Sequence, residues 1–251
     1  MDPIILQTDN FTIYSYSIYF ITACLLGLAV ITREARLRGL NFNFGPIAGL
    51  IALVCGIIGA KISFAALHPR LIISSPEILF TFSNKTMCFS GALIFGATGA
   101  SLFLKNRNQS ILPWADSFAP AIAIALSVGW LGCFASGFGY GTPTDLPWAV
   151  INHSTDSLAP IGTLMHTTQI YYSVSYLIIF LTLAIVAKYA RFSGIISGIF
   201  ITLFGLSNFL ISFLRADRLA QLGPLSFEQV LELAFLSIGV YLTLQKNYGS
   251  K

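Results

Sequence analysis

Residues 45–66 read GPIAGLIALVCGIIGAKISFAA, a run broken by a single charge, Lys61. A helix rises about 1.5 Å per residue, so a run of this length matches the ~30 Å hydrocarbon core of a bilayer. No water-facing helix can be apolar on every side. Working outward, comparable runs lie at about 13–32, 87–104, 117–135, 170–187, 194–214 and 227–244. Hydrophobic residues make up 55% of the 251-residue chain and charged residues only 10%. Mean hydropathy is +0.78. A soluble domain carries about a quarter charged residues, so lipid replaces water around most of this surface. The sequence therefore predicts one all-α integral membrane domain over residues 1–251, a bundle of about seven transmembrane helices. Residues 76–86 are mixed and fit a short helix on the outer face.

Orientation follows from the basic residues. One set of loops holds Arg33, Arg36, Arg38, Lys105, Arg107, Lys188, Arg191, Lys246 and Lys251; the other holds Arg70, Lys85, Arg215 and Arg218. Positive residues collect on the cytoplasmic side, which predicts an N-terminus outside and a C-terminus inside, a parity that needs an odd number of spans. The outer face then receives loops at about 67–86, 136–169 and 215–226. The stretch from Phe11 to Ile31 follows Asp2 and Asp9 with no basic region and no small-residue cleavage site, so it reads as a retained helix. The net charge of +4 is accounted for by orientation, and no nucleic-acid partner is expected. Cys24, Cys55, Cys88 and Cys133 lack metal-ligand spacing and read as core residues. Neither a metal nor a cofactor is expected. A series of charges along the spans and an internal repeat, the marks of many transporters, are missing.

The most distinctive segment is Gly129–Val150, GWLGCFASGFGYGTPTDLPWAV. A span runs into a turn containing Gly137, Gly139 and Gly141, then into a loop stiffened by Pro143 and Pro147. This is either an interfacial loop or the rim of a lipid-headgroup pocket whose backbone N–H groups face an anion. His166 and Gln169, in MHTTQIYYS, precede the fifth span. The histidine suits a base working near neutral pH, or a hydrogen bond to a loop carbonyl. Asp116, in WADSFAP, is either a functional acid or a helix cap. Arg215, with Asp217 and Arg218, ends the sixth span and either grips a phosphate or reaches toward lipid headgroups. Lys61 needs a partner or a wet cavity. Glu228 and Glu232 favour the start of the seventh helix electrostatically.

Together these segments resemble the bacterial prolipoprotein diacylglyceryl transferase family. SYSIYF (Ser15–Phe20) is similar to its early tyrosine-containing helix, with Tyr16 at the tyrosine. MCFSGALIFG (Met87–Gly96) looks like its glycine-rich helix. ADSFAP (Ala115–Pro120) and Gly129–Gly141 look like its signature region, running into PTDLPW. HTTQIY (His166–Tyr171) resembles HPTQLY, and FLRAD (Phe213–Asp217) and LSFEQVLEL (Leu225–Leu233) resemble its closing segments. The resemblance implies a multi-pass enzyme of the bacterial cytoplasmic membrane, in lipoprotein biosynthesis. Such an enzyme moves the diacylglyceryl group of phosphatidylglycerol to a lipobox cysteine and releases glycerol phosphate. It implies His166 and Asp116 as catalytic candidates, and Tyr16, Gly137, Gly141, Gln169 and Arg215 as lipid or phosphate contacts. Lys61 is added to these contacts as the candidate to replace a positive charge that the family's cavity has and this chain lacks.

The chain departs from the family pattern at several positions. Ser90 stands where the family has histidine or tyrosine, and Trp130 replaces the signature arginine. Cys133 takes the asparagine position, while Asn208 and Ser212 take those of an arginine and a glutamate in the sixth span. The reading is thus a divergent transferase acting on a prolipoprotein or another acceptor. The alternative is an inactive relative that binds lipid or a partner membrane protein.

Overall fold

In hydrocarbon every backbone N–H and C=O must be paired within its own segment, which leaves the helix as the form for isolated apolar runs. The computed structural model describes residues 3–8, 12–80, 88–190, 192–217, 221–222 and 225–248. Asp2, Asp9, Phe11, Lys85, Met87, Arg191, Arg218 and Lys251, all used above, lie outside the described residues. Among the described residues there are eight α-helices: α1 (Ser15–Leu37), α2 (Phe44–Leu67), α3 (Pro69–Ser74), α4 (Phe89–Asn106), α5 (Ile111–Ser136), α6 (Thr168–Val186), α7 (Ile195–Ser212) and α8 (Phe227–Tyr248). Five of them, α1, α2, α5, α6 and α7, are long and apolar enough to cross a membrane. The third and seventh expected spans correspond to α4 and α8. The fourth expected span corresponds to α5, which starts at Ile111 and not at 117; Pro113 falls in its first turn, where a missing N–H is tolerated. Of the short helix expected over 76–86, a 3-10 turn at Pro76–Phe80 follows α3, and residues 81–86 lie outside the described residues.

The all-α expectation also left out three antiparallel pairs: β1 (Ile4–Gln7) with β2 (Thr12–Tyr14), β3 (Val150–Ile151) with β4 (Leu164–Met165), and β5 (Gln221–Leu222) with β6 (Leu225–Ser226). Pairs of two to four residues are too short to carry an alternation of apolar and polar positions, so no sequence signal announces them.

The chain packs as two compact units, Met1–Val30 with Ala115–Lys251, and Ile31–Trp114, whose boundaries fall inside α1 and α5. In the Ile31–Trp114 unit, α2 and α4 lie in close contact: a Cβ at Gly96 would stand 2.8 Å from the Ala52 carbonyl oxygen. Close approach through small residues is how helices associate without a hydrophobic driving force between them. The end of α1 carries buried Glu34, paired with Arg33 at 2.8 Å and Arg38 at 3.5 Å.

In the other unit, Ser127 and Ser173 tie α5 to α6 by reciprocal bonds, each hydroxyl donating to the other's carbonyl oxygen at 2.9 and 2.8 Å. Gly205 on α7 lets α8 approach so closely that a Cβ there would meet the Glu232 carbonyl oxygen at 2.7 Å. A ladder of aromatic rings runs through this unit. Trp130 stacks on Tyr172 at 4.1 Å between centroids, Tyr172 on Tyr176 at 6.4 Å, and Tyr176 leans on Phe204 at 5.9 Å.

Candidate functional site

The glycine-dense segment after α5 is held on both sides. On one side the Gly141 N–H donates to the His166 carbonyl oxygen at 3.1 Å, the His166 N–H to Thr142 O at 3.0 Å, and the Thr144 N–H to Leu164 O at 3.1 Å. On the other, the Thr142 N–H donates to Leu214 O at 2.8 Å and the Ala216 N–H to Tyr140 O at 3.0 Å. Gly141 pairs in antiparallel fashion with Arg215, and Pro143 with Met165. Residues 140–144 thus form a strand-like tie between the start of α6 and the end of α7. Neighbouring strands stand about 4.8 Å apart, which puts the His166 and Arg215 backbones about 10 Å from each other across it. Nothing bulkier than glycine fits at 141, where a Cβ would meet His166 Cβ at 2.5 Å and His166 O at 2.6 Å. Gly137 and Gly139 have φ of +74° and +72°, the left-handed region that favours glycine.

The turn's anion is one of the protein's own. The Gly139 N–H donates to Asp217 Oδ2 at 2.9 Å, and Asp217 Oδ1 accepts from Arg215 Nε at 2.9 Å. Arg215 Nη1 reaches Glu228 Oε2 at 3.4 Å, and the Tyr172 hydroxyl lies within hydrogen-bonding reach of the same guanidinium. Burial opposes the charge on Arg215, but Asp217 outweighs it through charge and hydrogen bond, and Glu228 adds to this; the guanidinium is held above its ordinary range. It stays charged at any physiological pH. The expectation that Glu228 serves its own helix N-terminus is thus incomplete, since it also neutralises Arg215.

His166 is half-buried, and its Nδ1 lies 3.3 Å from the Tyr171 hydroxyl. Trp148 Nε1 donates to that hydroxyl at 2.7 Å. The ring is therefore oriented by a tyrosine and not by a loop carbonyl, and Nε2 is the nitrogen outside this chain of contacts. Gln169, fully buried, donates from Nε2 to Phe138 O at 3.1 Å, while its Oε1 accepts nothing among the described residues. Thr168 Oγ1 donates to Gly139 O. Cys133 lies within electrostatic range of Arg215, Asp217 and Tyr16, and the Tyr16 ring packs where a Cβ on Gly132 would stand 3.2 Å from Cδ2.

One end of this unit thus gathers Tyr16, Cys133, Gly137, Gly141, His166, Gln169 and Arg215. Trp130 covers Gly139, whose added Cβ would lie 2.8 Å from the indole. Asn208 donates to the Tyr176 hydroxyl at 2.7 Å, and buried Ser212 donates to Phe209 O at 2.8 Å. Asp116 is elsewhere. It is 1% exposed and accepts from the N–H groups of Gly194 and Ser197 and from the Ser197 hydroxyl at 2.9 Å, so it caps the start of α7. Seventeen residues of α5 part it from Cys133, about 25 Å along a helix. Lys61 is half-buried on α2 and Ser90 lies on α4, both in the Ile31–Trp114 unit. Sequence reading missed Tyr171 as the partner of His166. Their spacing across a helix start carries no signal beyond the MHTTQIYYS order.

A family model described as prolipoprotein diacylglyceryl transferase matches residues 3–245. The chain belongs to the prolipoprotein diacylglyceryl transferase family. Similar curated relatives include a phosphatidylglycerol–prolipoprotein diacylglyceryl transferase of Clostridium tetani, 28% identical over 242 residues and covering 96% of each chain. One of the same name from Polynucleobacter asymbioticus is 30% identical over 257 aligned residues, covering 98% of this chain and 96% of the relative. With its long apolar helices, membership makes this a multi-pass membrane protein.

Proposed function

We propose that the protein is a divergent, phosphatidylglycerol-dependent diacylglyceryl transferase of the bacterial cytoplasmic membrane. Its seven spans run from an outer N-terminus to a cytoplasmic C-terminus, and its site opens at the outer face. The acceptor is the cysteine of a prolipoprotein or another thiol. In the step, the acceptor sulfur forms a bond to the terminal glycerol carbon of the diacylglyceryl group, and the bond from that carbon to the phosphate oxygen breaks. The thiol proton goes to a base, and glycerol phosphate leaves with the electron pair. His166 is that base, through Nε2: Nδ1–H donates to the Tyr171 oxygen, which has a second lone pair for Trp148. Arg215 faces the departing phosphate, exchanging its longer contact with Glu228 for a phosphate oxygen. Gly137, Gly141 and Gln169 shape the headgroup cradle, and Tyr16 closes it from α1.

The observation that carries this reading is the tie through residues 140–144, which joins His166 to Arg215 by backbone hydrogen bonds on its two sides. It is tested with purified protein, labelled phosphatidylglycerol and a lipobox peptide. Labelled peptide forms with the wild type and falls at least a hundredfold in His166→Ala, the low end of what a general base contributes. Arg215→Lys, which keeps a charge in a buried ion pair and so guards against collapse of the site, also loses most of the product. No product from the wild type, where a relative works under the same conditions, rules out transfer to a lipoprotein.

One observation favours the alternative of an inactive, lipid- or partner-binding relative. Trp130 stands where the resemblance expects an arginine, stacked on Tyr172. Lipid retention without any product would select it.

A further inference from the structure

Two buried polar atoms near the start of α8 take no part in the contacts assigned above. Ser226 and Gln229 cap the helix reciprocally: the Ser226 N–H donates to Gln229 Oε1 at 2.9 Å, and the Gln229 N–H to Ser226 Oγ at 3.3 Å. Gln229 Nε2, with the residue fully buried, donates to nothing among the described residues. Three residues on, and so on the same face of the helix, Glu232 is 9% exposed, and its Oε2 accepts nothing among the described residues. The Ser212 hydroxyl lies against this carboxylate, and Arg215, Tyr172 and Tyr176 are within its electrostatic range. Glu232 therefore faces the Arg215 end of the site. The resemblance expects a glutamate at position 212; here serine stands there, and the neighbouring helix delivers the carboxylate.

A buried donor and a buried acceptor left open on one helix turn call for a group that can both donate and accept. An ammonium headgroup donates only, and would leave Gln229 Nε2 unsatisfied beside the charge of Arg215. A phosphate oxygen accepts only, so it would leave the Glu232 acceptor open and add charge beside Glu228. A hydroxyl satisfies both atoms and adds no charge.

Resting on the headgroup site proposed above, we propose that Glu232 and Gln229 form the subsite that reads a hydroxyl of a polyol phospholipid headgroup. The carboxylate accepts its proton and the amide donates to its oxygen. Glu232 is then a specificity-determining residue. It selects a glycerol-type headgroup over other phosphodiester lipids of the same charge.

The test uses full-length protein in phosphatidylcholine nanodiscs containing equal amounts of phosphatidylglycerol and phosphatidylmethanol. The latter is a phosphodiester of equal charge without headgroup hydroxyls. Lipid co-purifying after detergent extraction is measured by mass spectrometry. The wild type retains phosphatidylglycerol over phosphatidylmethanol by about tenfold, the worth of one good hydrogen bond. Glu232→Leu brings the ratio close to one while retention of phosphatidylmethanol persists, which shows an intact site. Glu232→Gln, which keeps shape and one acceptor, gives an intermediate ratio and decides the matter if the leucine variant fails to fold. An unchanged ratio in the folded variants, or no preference in the wild type, overturns the subsite alone. A wild type that retains neither lipid above phosphatidylcholine overturns the headgroup site itself, and the subsite with it.

Discussion

At the residue scale, position 141 shows how little freedom the site allows. Its glycine lies between His166 and Arg215, and a methyl group there would stand 2.5 Å from His166 Cβ and 3.0 Å from Thr168 Cγ2. The neighbours belong to a backbone tie and the start of a helix, so they cannot swing away as a flexible side chain would. Gly141→Ala should cost about 1–3 kcal/mol, the usual range for overpacking, and should displace His166 from Tyr171. A lowered Tm together with lost activity is the expected pair of readings. Gly129→Ala is the control, because a Cβ at 129 meets nothing within 4 Å and alanine suits a helix better than glycine; its Tm should hold or rise.

At the element scale, Asp116 joins two helices that the sequence gives no reason to connect. The resemblance marked it as catalytic, and its own helix offered a capping role; the structure has it capping α7 through Gly194 and Ser197, some eighty residues away. A helix start leaves its first N–H groups unpaired, and a carboxylate from a neighbour serves them when the chain provides none locally. Asp116→Asn turns one acceptor into a donor facing an N–H, which should cost about 1–3 kcal/mol. Thermal melting of the detergent-solubilised variant should show that loss, while transfer activity per folded molecule stays near wild type. A melting curve like the wild type's with activity lost would return Asp116 to the catalytic set. The contrast marks what was legible. Gly96 belongs to the glycine-rich run Met87–Gly96, and small residues in an apolar run have few uses other than close helix contact. Asp116, Glu228 and Tyr171 find their partners only across helices or at a helix start, and no periodicity encodes such a pairing.

At the scale of the whole molecule, the apolar runs located the long helices, because hydrocarbon length and backbone pairing favour them there, while α1 runs on to Leu37 and α5 begins at Ile111, beyond the expected bounds. The short strand pairs and the tie at 140–144 were invisible for the opposite reason: they depend on which helix ends meet. The route through the membrane rests on charge. With seven spans, the Lys105 and Arg107 loop is cytoplasmic and the 136–169 loop is outside. If α4 failed to cross, both loops would exchange sides, although five spans would satisfy the same parity. Single cysteines at Asn106 and Thr155, both exposed, separate the two routes in a background with the four native cysteines replaced by alanine. An impermeant maleimide applied to intact spheroplasts should label Thr155→Cys at once and Asn106→Cys only after permeabilisation. The reverse pattern would leave α4 on one side of the membrane. His166 and Arg215 would then lie on the cytoplasmic face, and the proposed outer-face opening of the site would fall.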